Sequence, residues 1–246
     1  MRHFNYKSPL DIPTCSSNCP CLLFCNNSIG KLAGKTKVSD IFSNSWSINM
    51  LSAVRVFLFG ARDVWFVVAL PIFLYDKLNW GFTEVGSFLA VWIIGYGVLQ
   101  SFAPTYVKSS KDGLSNEIKA ARFWIILLCL VTTSLAVSLN YSFDATKIIM
   151  FGLAVFGFCF AVNSSIHSYL ILGFTSVDKV ALSVGFYYSA NAAGRLLGTF
   201  LSGITYQVGG LQTALYVSAG MLLMASILTA IMTSIQSNRR RSLPAD

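Results

Sequence analysis

Six apolar runs, at about residues 49–75, 82–107, 121–140, 147–172, 179–205 and 210–234, constrain this chain more than any other feature. A bilayer-spanning helix needs about 20 predominantly apolar residues, and each run supplies that length with few interruptions. Membrane-spanning strands would instead need short segments of alternating hydrophobicity, which the sequence lacks. The expected fold is an all-α membrane protein built as a six-transmembrane-helix bundle. Hydrophobic residues make up 54% of the 246 and charged residues 11%, a usage remote from that of an ordinary soluble domain. The helices consume nearly all of the chain after residue 48 and leave no room for a soluble catalytic domain. Three regions are predicted: a cytoplasmic N-terminal tail at 1–47, partly disordered; a transmembrane domain at 48–235; and a basic cytoplasmic tail at 236–246.

Orientation follows from the basic residues. Arg2, Lys7, Lys31, Lys35 and Lys37 precede the first run; Lys108, Lys111, Lys119 and Arg122 fill the second connection; Lys179 lies in the fourth; Arg239, Arg240 and Arg241 follow the last run. Only Lys77 and Lys147 fall on the opposite side. The positive-inside rule therefore predicts both termini in the cytoplasm, as an even number of crossings requires. The net charge of +8 is mostly this asymmetry, which implies a lipid bilayer rather than a nucleic acid as partner. Residues 1–30 contain no apolar stretch long enough for a signal peptide, since the only candidate is Cys21 to Cys25. Four thiols there, Cys15, Cys19, Cys21 and Cys25, are spaced C-x3-C-x-C-x3-C. Zinc sites usually pair two cysteines with a distant second pair, so a disordered tail fits better than a metal site. No cofactor is implied.

Function is sought where the sequence departs from what a bilayer favours. The first run, VRVFLFGARDVWFVVALP from Val54 to Pro71, carries Arg55, Arg62 and Asp63. A charge at bilayer depth costs a few kcal/mol or more and normally faces a bundle interior or an aqueous cavity. With a helix starting near Asn49, Arg55 lies roughly 9 Å and Arg62 roughly 20 Å along it. Arg55 is close enough to the surface to snorkel to the head groups; Arg62 is not. Seven residues return nearly to the same helix face, so the two guanidiniums point the same way, with Asp63 one step round. Two readings stay open: an internal arginine–Asp63 pair that locks helix packing, or an anion site fed by the excess of positive charge.

Two later runs add polar groups. In AVNSSIHSYLIL, Asn163 and His167 stand at i and i+4 on one face with Ser164 beside them. His167 reads either as a hydrogen-bonded packing residue or as a proton carrier, because imidazole titrates in the physiological range. In VALSVGFYYSANAAGRLLGTFLSGITY, Tyr188, Asn191 and Arg195 fall at i, i+3 and i+7, an arginine face expected to look inward. Gly194 and Gly198, followed by Ser202, form a small-residue stripe suited to close helix packing. Tyr96 and Gln100 put polar groups on one face of the second helix, and Cys129 and Cys159 read as buried packing residues. With no acidic motif near His167, an enzyme is not expected. No phosphate-binding loop of the G-x4-G-K-[ST] type occurs, so transport, if present, is secondary.

The intramembrane Y-x2-N-x3-R-x2-G, on the fifth of six helices entered from a basic cytoplasmic segment, resembles the C-terminal half of a major facilitator superfamily transporter. More narrowly, LSAVRVFLFGARDVWFVVALPIFL, WGFTEVGSFLAVWIIGYGVLQSFAP, AVNSSIHSYLIL and VGFYYSANAAGRLLGTFLSGITYQ are similar to the ArsJ-type organoarsenical efflux permeases, across roughly residues 31 to 236. That resemblance implies export of an anionic organoarsenical, 1-arseno-3-phosphoglycerate, from a prokaryotic plasma membrane, giving arsenate resistance. It also implies a functional link to glyceraldehyde-3-phosphate dehydrogenase, which makes that compound when arsenate replaces phosphate. The intramembrane polar groups agree with such a substrate: Arg55, Arg62, Arg195, Asn163, Tyr188 and Asn191 are the expected substrate-binding residues, with Asp63 and His167 in proton coupling or arginine orientation. A full permease of this kind has twelve helices, so this chain pairs either with a second six-helix half or with another copy of itself. The competing readings are a non-transporting membrane interaction or regulatory half, a truncated remnant, or a transporter of another organic anion.

Overall fold

The structure, a computed structural model, describes residues 45–106, 114–141, 144–175 and 180–241. The chain divides into Met1–Lys37 and Val38–Asp246, and every described residue belongs to the second unit. Cys15, Cys19, Cys21 and Cys25 therefore lie outside the described residues, as do Lys108, Lys111 and Lys179. The described elements are all helical: α1 Trp46–Phe66, α2 Ala69–Leu78, α3 Phe82–Tyr106, α4 Ser115–Ser138, α5 Ala145–Phe174 and α6 Val180–Arg241.

The first apolar run, expected as one helix, is two. Pro71 has no amide hydrogen, and its ring collides with the carbonyl four residues back, so the helix breaks at Val67 and Val68. The freed donor at the start of α2 is not lost: Ala69 N–H donates to Ser202 Oγ of α6 at 3.1 Å. At its other end α2 closes on Asn79 in the left-handed region, φ 54°, and Trp80 N–H donates to Leu74 O at 3.1 Å.

The fifth and sixth runs show the reverse, one helix by its hydrogen bonds but folded back on itself. Gly209 (φ −161°, ψ 29°) and Gly210 (φ 66°, ψ −162°) leave helical geometry inside the 62 residues of α6. Gly210 occupies a region that essentially only glycine tolerates. A Cβ placed on Gly60 would meet Met221 Cε at 2.5 Å and the Gly194 carbonyl oxygen at 3.0 Å. In an unbroken helix Gly194 and Met221 would stand roughly 40 Å apart, so the chain must reverse at the glycine pair. Five described lengths are long and apolar enough to cross a membrane, and the last contains this reversal; the result is six crossings.

The first limb of α6 runs parallel to α1, since Gly194 packs on the Val56 backbone and Gly198 on the Gly60 backbone. The second limb runs antiparallel and donates Ser218 Oγ to Ala61 O at 2.6 Å. Thus α1 is gripped by both limbs. Helix α4 lies along the second limb, with Gln212 Nε2 donating to Ala136 O at 3.1 Å, and α3 follows α5, with Trp92 Nε1 donating to Leu153 O at 2.9 Å. Between them an aromatic core joins Phe59, Trp65, Phe156 and Phe160, with ring centroids 5.0 to 5.7 Å apart along the chain of contacts. Only Val85 of α3 is buried among the described side chains of that helix, so α3 offers most of its surface outward.

Candidate functional site

Helix α1 sets Arg55, Phe59 and Arg62 one turn apart on one face, and the Phe59 ring stands between two electrostatic environments. Arg55 Cζ lies 3.9 Å and Arg62 Cζ 5.0 Å from its centroid. Toward the C-terminal side, Asp63 is only 1% exposed and accepts two arginines. Its Oδ1 takes Arg62 Nε at 2.6 Å and its Oδ2 takes Arg195 Nε at 3.1 Å. The glycine stripe makes the second bond possible. A Cβ on Gly198 would come within 3.0 Å of Asp63 Cβ and 2.5 Å of Gly60 O, so only a bare backbone brings α6 this close. Each guanidinium has five N–H groups and spends one here. The Arg62 side chain is 12% exposed and that of Arg195 56%. Two cations against one carboxylate leave a surplus of positive charge, with an arginine fork turned outward.

On the N-terminal side the arrangement differs. Arg55 is 3% exposed and, among the described residues, forms no ion pair. Its guanidinium lies against Phe59 and, at 4.9 Å, against the Tyr187 ring. Its Nη1 donates to Ser164 O at 3.5 Å and Ser164 Oγ at 3.4 Å, both long bonds. Ser164 Oγ also accepts Gln100 Nε2 of α3 at 3.4 Å. Around this pocket Asn163 and His167 are buried with neither side-chain polar atom partnered, and Tyr187 Oη, Ser52 Oγ and Arg55 Nε are likewise buried and unpartnered.

The structure thus brings together Arg62, Asp63 and Arg195, and separately buries Arg55, bonded to Ser164, on the α1 face that meets α5, the helix that carries the buried Asn163 and His167. Arg62 pairs with Asp63, and Arg195 joins it from α6. Of the strip of Tyr188, Asn191 and Arg195, expected to look inward, Arg195 reaches the buried Asp63, Asn191 is half-buried, and Tyr188 is 53% exposed. The cause is local: Gly194 and Gly198 occupy the contact with α1, which leaves Tyr188 beside it rather than in it. Arg55 does not snorkel. Tyr187 is the residue that sequence reasoning missed; it stands seven before Gly194 and therefore on the packed stripe, a spacing that pointed to α1. Phe59 was legible in the same way, lying between the two arginines at helical spacing. Among the described residues no cluster of three or more His, Cys, Asp or Glu could hold a metal ion.

A family model described as Major Facilitator Superfamily matches residues 51–244, which takes in every residue of both environments. No curated protein matches the chain significantly.

Proposed function

Because the chain belongs to the Major Facilitator Superfamily, we propose that it works as a secondary active efflux transporter, or the C-terminal half of one, for an anionic organoarsenical. The observation that carries this reading is the double use of Asp63 by Arg62 and Arg195, with Arg195 half-exposed and most of its donors uncommitted. In the empty transporter Asp63 holds the two guanidiniums in place. An incoming oxyanion competes for Arg195, whose planar fork matches carboxylate, phosphate and arsenate oxygens. Asn191 and Tyr188, one and two turns before it, supply neutral contacts along the same strip. When Arg195 leaves, Asp63 keeps Arg62 oriented or takes up a proton. A multiply charged compound such as 1-arseno-3-phosphoglycerate suits this excess of cations, which links the protein to glyceraldehyde-3-phosphate dehydrogenase as its source.

Exposure of Arg195 at bilayer depth is expensive unless something polar covers it. In this reading a second six-helix half, or a second copy, closes over the strip, and the substrate travels between the two as they rock.

The test is arsenate tolerance with intracellular arsenic in sensitive cells that express the dehydrogenase with this chain, alone and beside a related N-terminal half. Rescue is expected in at least one arm, and Arg195→Lys should abolish it while the protein stays in the membrane. Absence of rescue in both arms, with the protein inserted, would overturn the substrate assignment and leave the non-transporting half as the reading. Full rescue by Arg195→Lys would instead reduce the arginine pairs to a packing lock.

A further inference from the structure

Asp63 has more positive charge beside it than it can neutralise, yet Arg62 and Arg195 are at least partnered; the cation behind Phe59 has no ion-pair partner among the described residues. An isolated buried charge carries a penalty of several kcal/mol even after relaxation. Two aromatic faces and two long bonds to Ser164 offset only part of it. The buried polar side chains nearest to Arg55 along the helices that it belongs to or touches come from three helices. Ser52 precedes Arg55 by one turn of α1, Asn163 and His167 flank Ser164 on α5, and Tyr187 of α6 lies against the guanidinium. Each is more than nine-tenths buried, and each has an unpartnered polar atom.

Counted by chemistry, the unmet needs include two acceptors, Asn163 Oδ1 and one ring nitrogen of a neutral His167, and a larger number of donors. Arg55 offers Nε–H, Tyr187 and Ser52 a hydroxyl each, Asn163 an amide NH2 and a neutral His167 one ring N–H. One positive charge, several idle donors and, among the described residues, no carboxylate paired with that charge describe an anion site. We infer that this pocket binds a small monovalent inorganic anion of halide size, held by Arg55 with donors from Ser52, Asn163, His167 and Tyr187. Water alone would meet the donors but leave the charge uncompensated, and a metal cation would be repelled by it. A large organic anion would not reach a guanidinium enclosed by Phe59 and Tyr187. The ion is a resident of the bundle and not the cargo, so the inference stands apart from the transport reading and depends on different residues.

The experiment uses the full chain, purified in detergent with gluconate as the sole anion and titrated with sodium bromide at constant ionic strength. Melting temperature and tyrosine–tryptophan emission are followed, and crystals soaked in bromide are searched for anomalous scattering. Wild type should show saturable stabilisation and a bromide peak beside Arg55. Arg55→Gln should abolish the saturable response. Tyr187→Phe keeps the ring and removes one hydroxyl donor, and should raise the half-saturating bromide concentration about fivefold, as expected for one hydrogen bond. Arg195→Gln should keep the response, which separates this pocket from the Asp63 pair. If Arg55→Gln does not fold, Tyr187→Phe and the anomalous map decide. Wild-type stability indifferent to bromide, a response unchanged in Tyr187→Phe, or pocket density without a bromide signal would mean hydration only and overturn the assignment.

Discussion

Arg55 and Arg62 sit on the same helix, on the same face, against the same phenylalanine, and yet are stabilised by different means. Arg62 lies beside a carboxylate that also holds Arg195 of α6, whereas Arg55 leans on two rings and a serine. The difference teaches that helical periodicity fixes which side chains share a face but not how their charge is met. That depends on the neighbouring helix, and here on how near it comes. Beside Asp63 the neighbour is a glycine stripe in backbone contact; beside Arg55 it is an aromatic side chain.

The contrast breaks most completely if α6 is pushed away. Gly198→Val places branched carbon where the Gly60 backbone and Asp63 Cβ already stand, and should cost about 4 kcal/mol or more, read as loss of monodisperse protein in detergent. Asp63→Asn acts on one side only. It leaves Arg62 and Arg195 facing each other without a counter-charge and should destabilise by about 3 kcal/mol, with the double variant Asp63→Asn, Arg195→Gln recovering part of the melting temperature. Full stability of the single variant would show that the node is solvated rather than paired. Ser202→Ala is smaller: it strands the Ala69 N–H at the break below Asp63, for about 1 to 3 kcal/mol by thermal unfolding.

The weakest expected effect lies far from both arginines and serves as a reference. Asp144 caps α5 by accepting Thr146 N–H at 3.1 Å, and its hydrogen bond with Lys147 holds its carboxyl below the ordinary carboxylate range. A lowered folded-state pKa contributes stability that is present above the unfolded value and is lost as pH falls through the folded one. Acid titration of wild type should therefore show a small loss in that window which Asp144→Asn lacks. A matching loss in the variant would place the acid sensitivity elsewhere.

Much of this architecture was legible because lipid imposes blunt rules. The apolar runs gave the crossings, and the stripe of Gly194, Gly198 and Ser202 marked where α6 would touch a neighbour. The breaks were less visible. Pro71 stood inside a run that hydropathy read as continuous, and its effect on Val67 and Val68 is a backbone matter to which a hydropathy count is blind. Tyr187 and Tyr188 are chemically alike and adjacent; spacing from Arg195 selected Tyr188, while the packed stripe buries Tyr187. The double partnership of Asp63 joins residues far apart in sequence, and no local pattern could supply it.

That separation has a consequence for the order in which the protein is made. Arg62 and Asp63 are neighbours and can pair as soon as their helix forms, but Arg195 emerges 132 residues after Asp63. At about 5 to 20 residues per second of synthesis, the carboxylate waits on the order of ten seconds for its second cation. For most of that interval Arg55 lacks Ser164, which emerges 109 residues after it, and Tyr187 follows later still. The earliest of the described segments to be made is thus among the last to be electrostatically complete, and a ribosome that stalls before the glycine hairpin leaves it exposed to quality control.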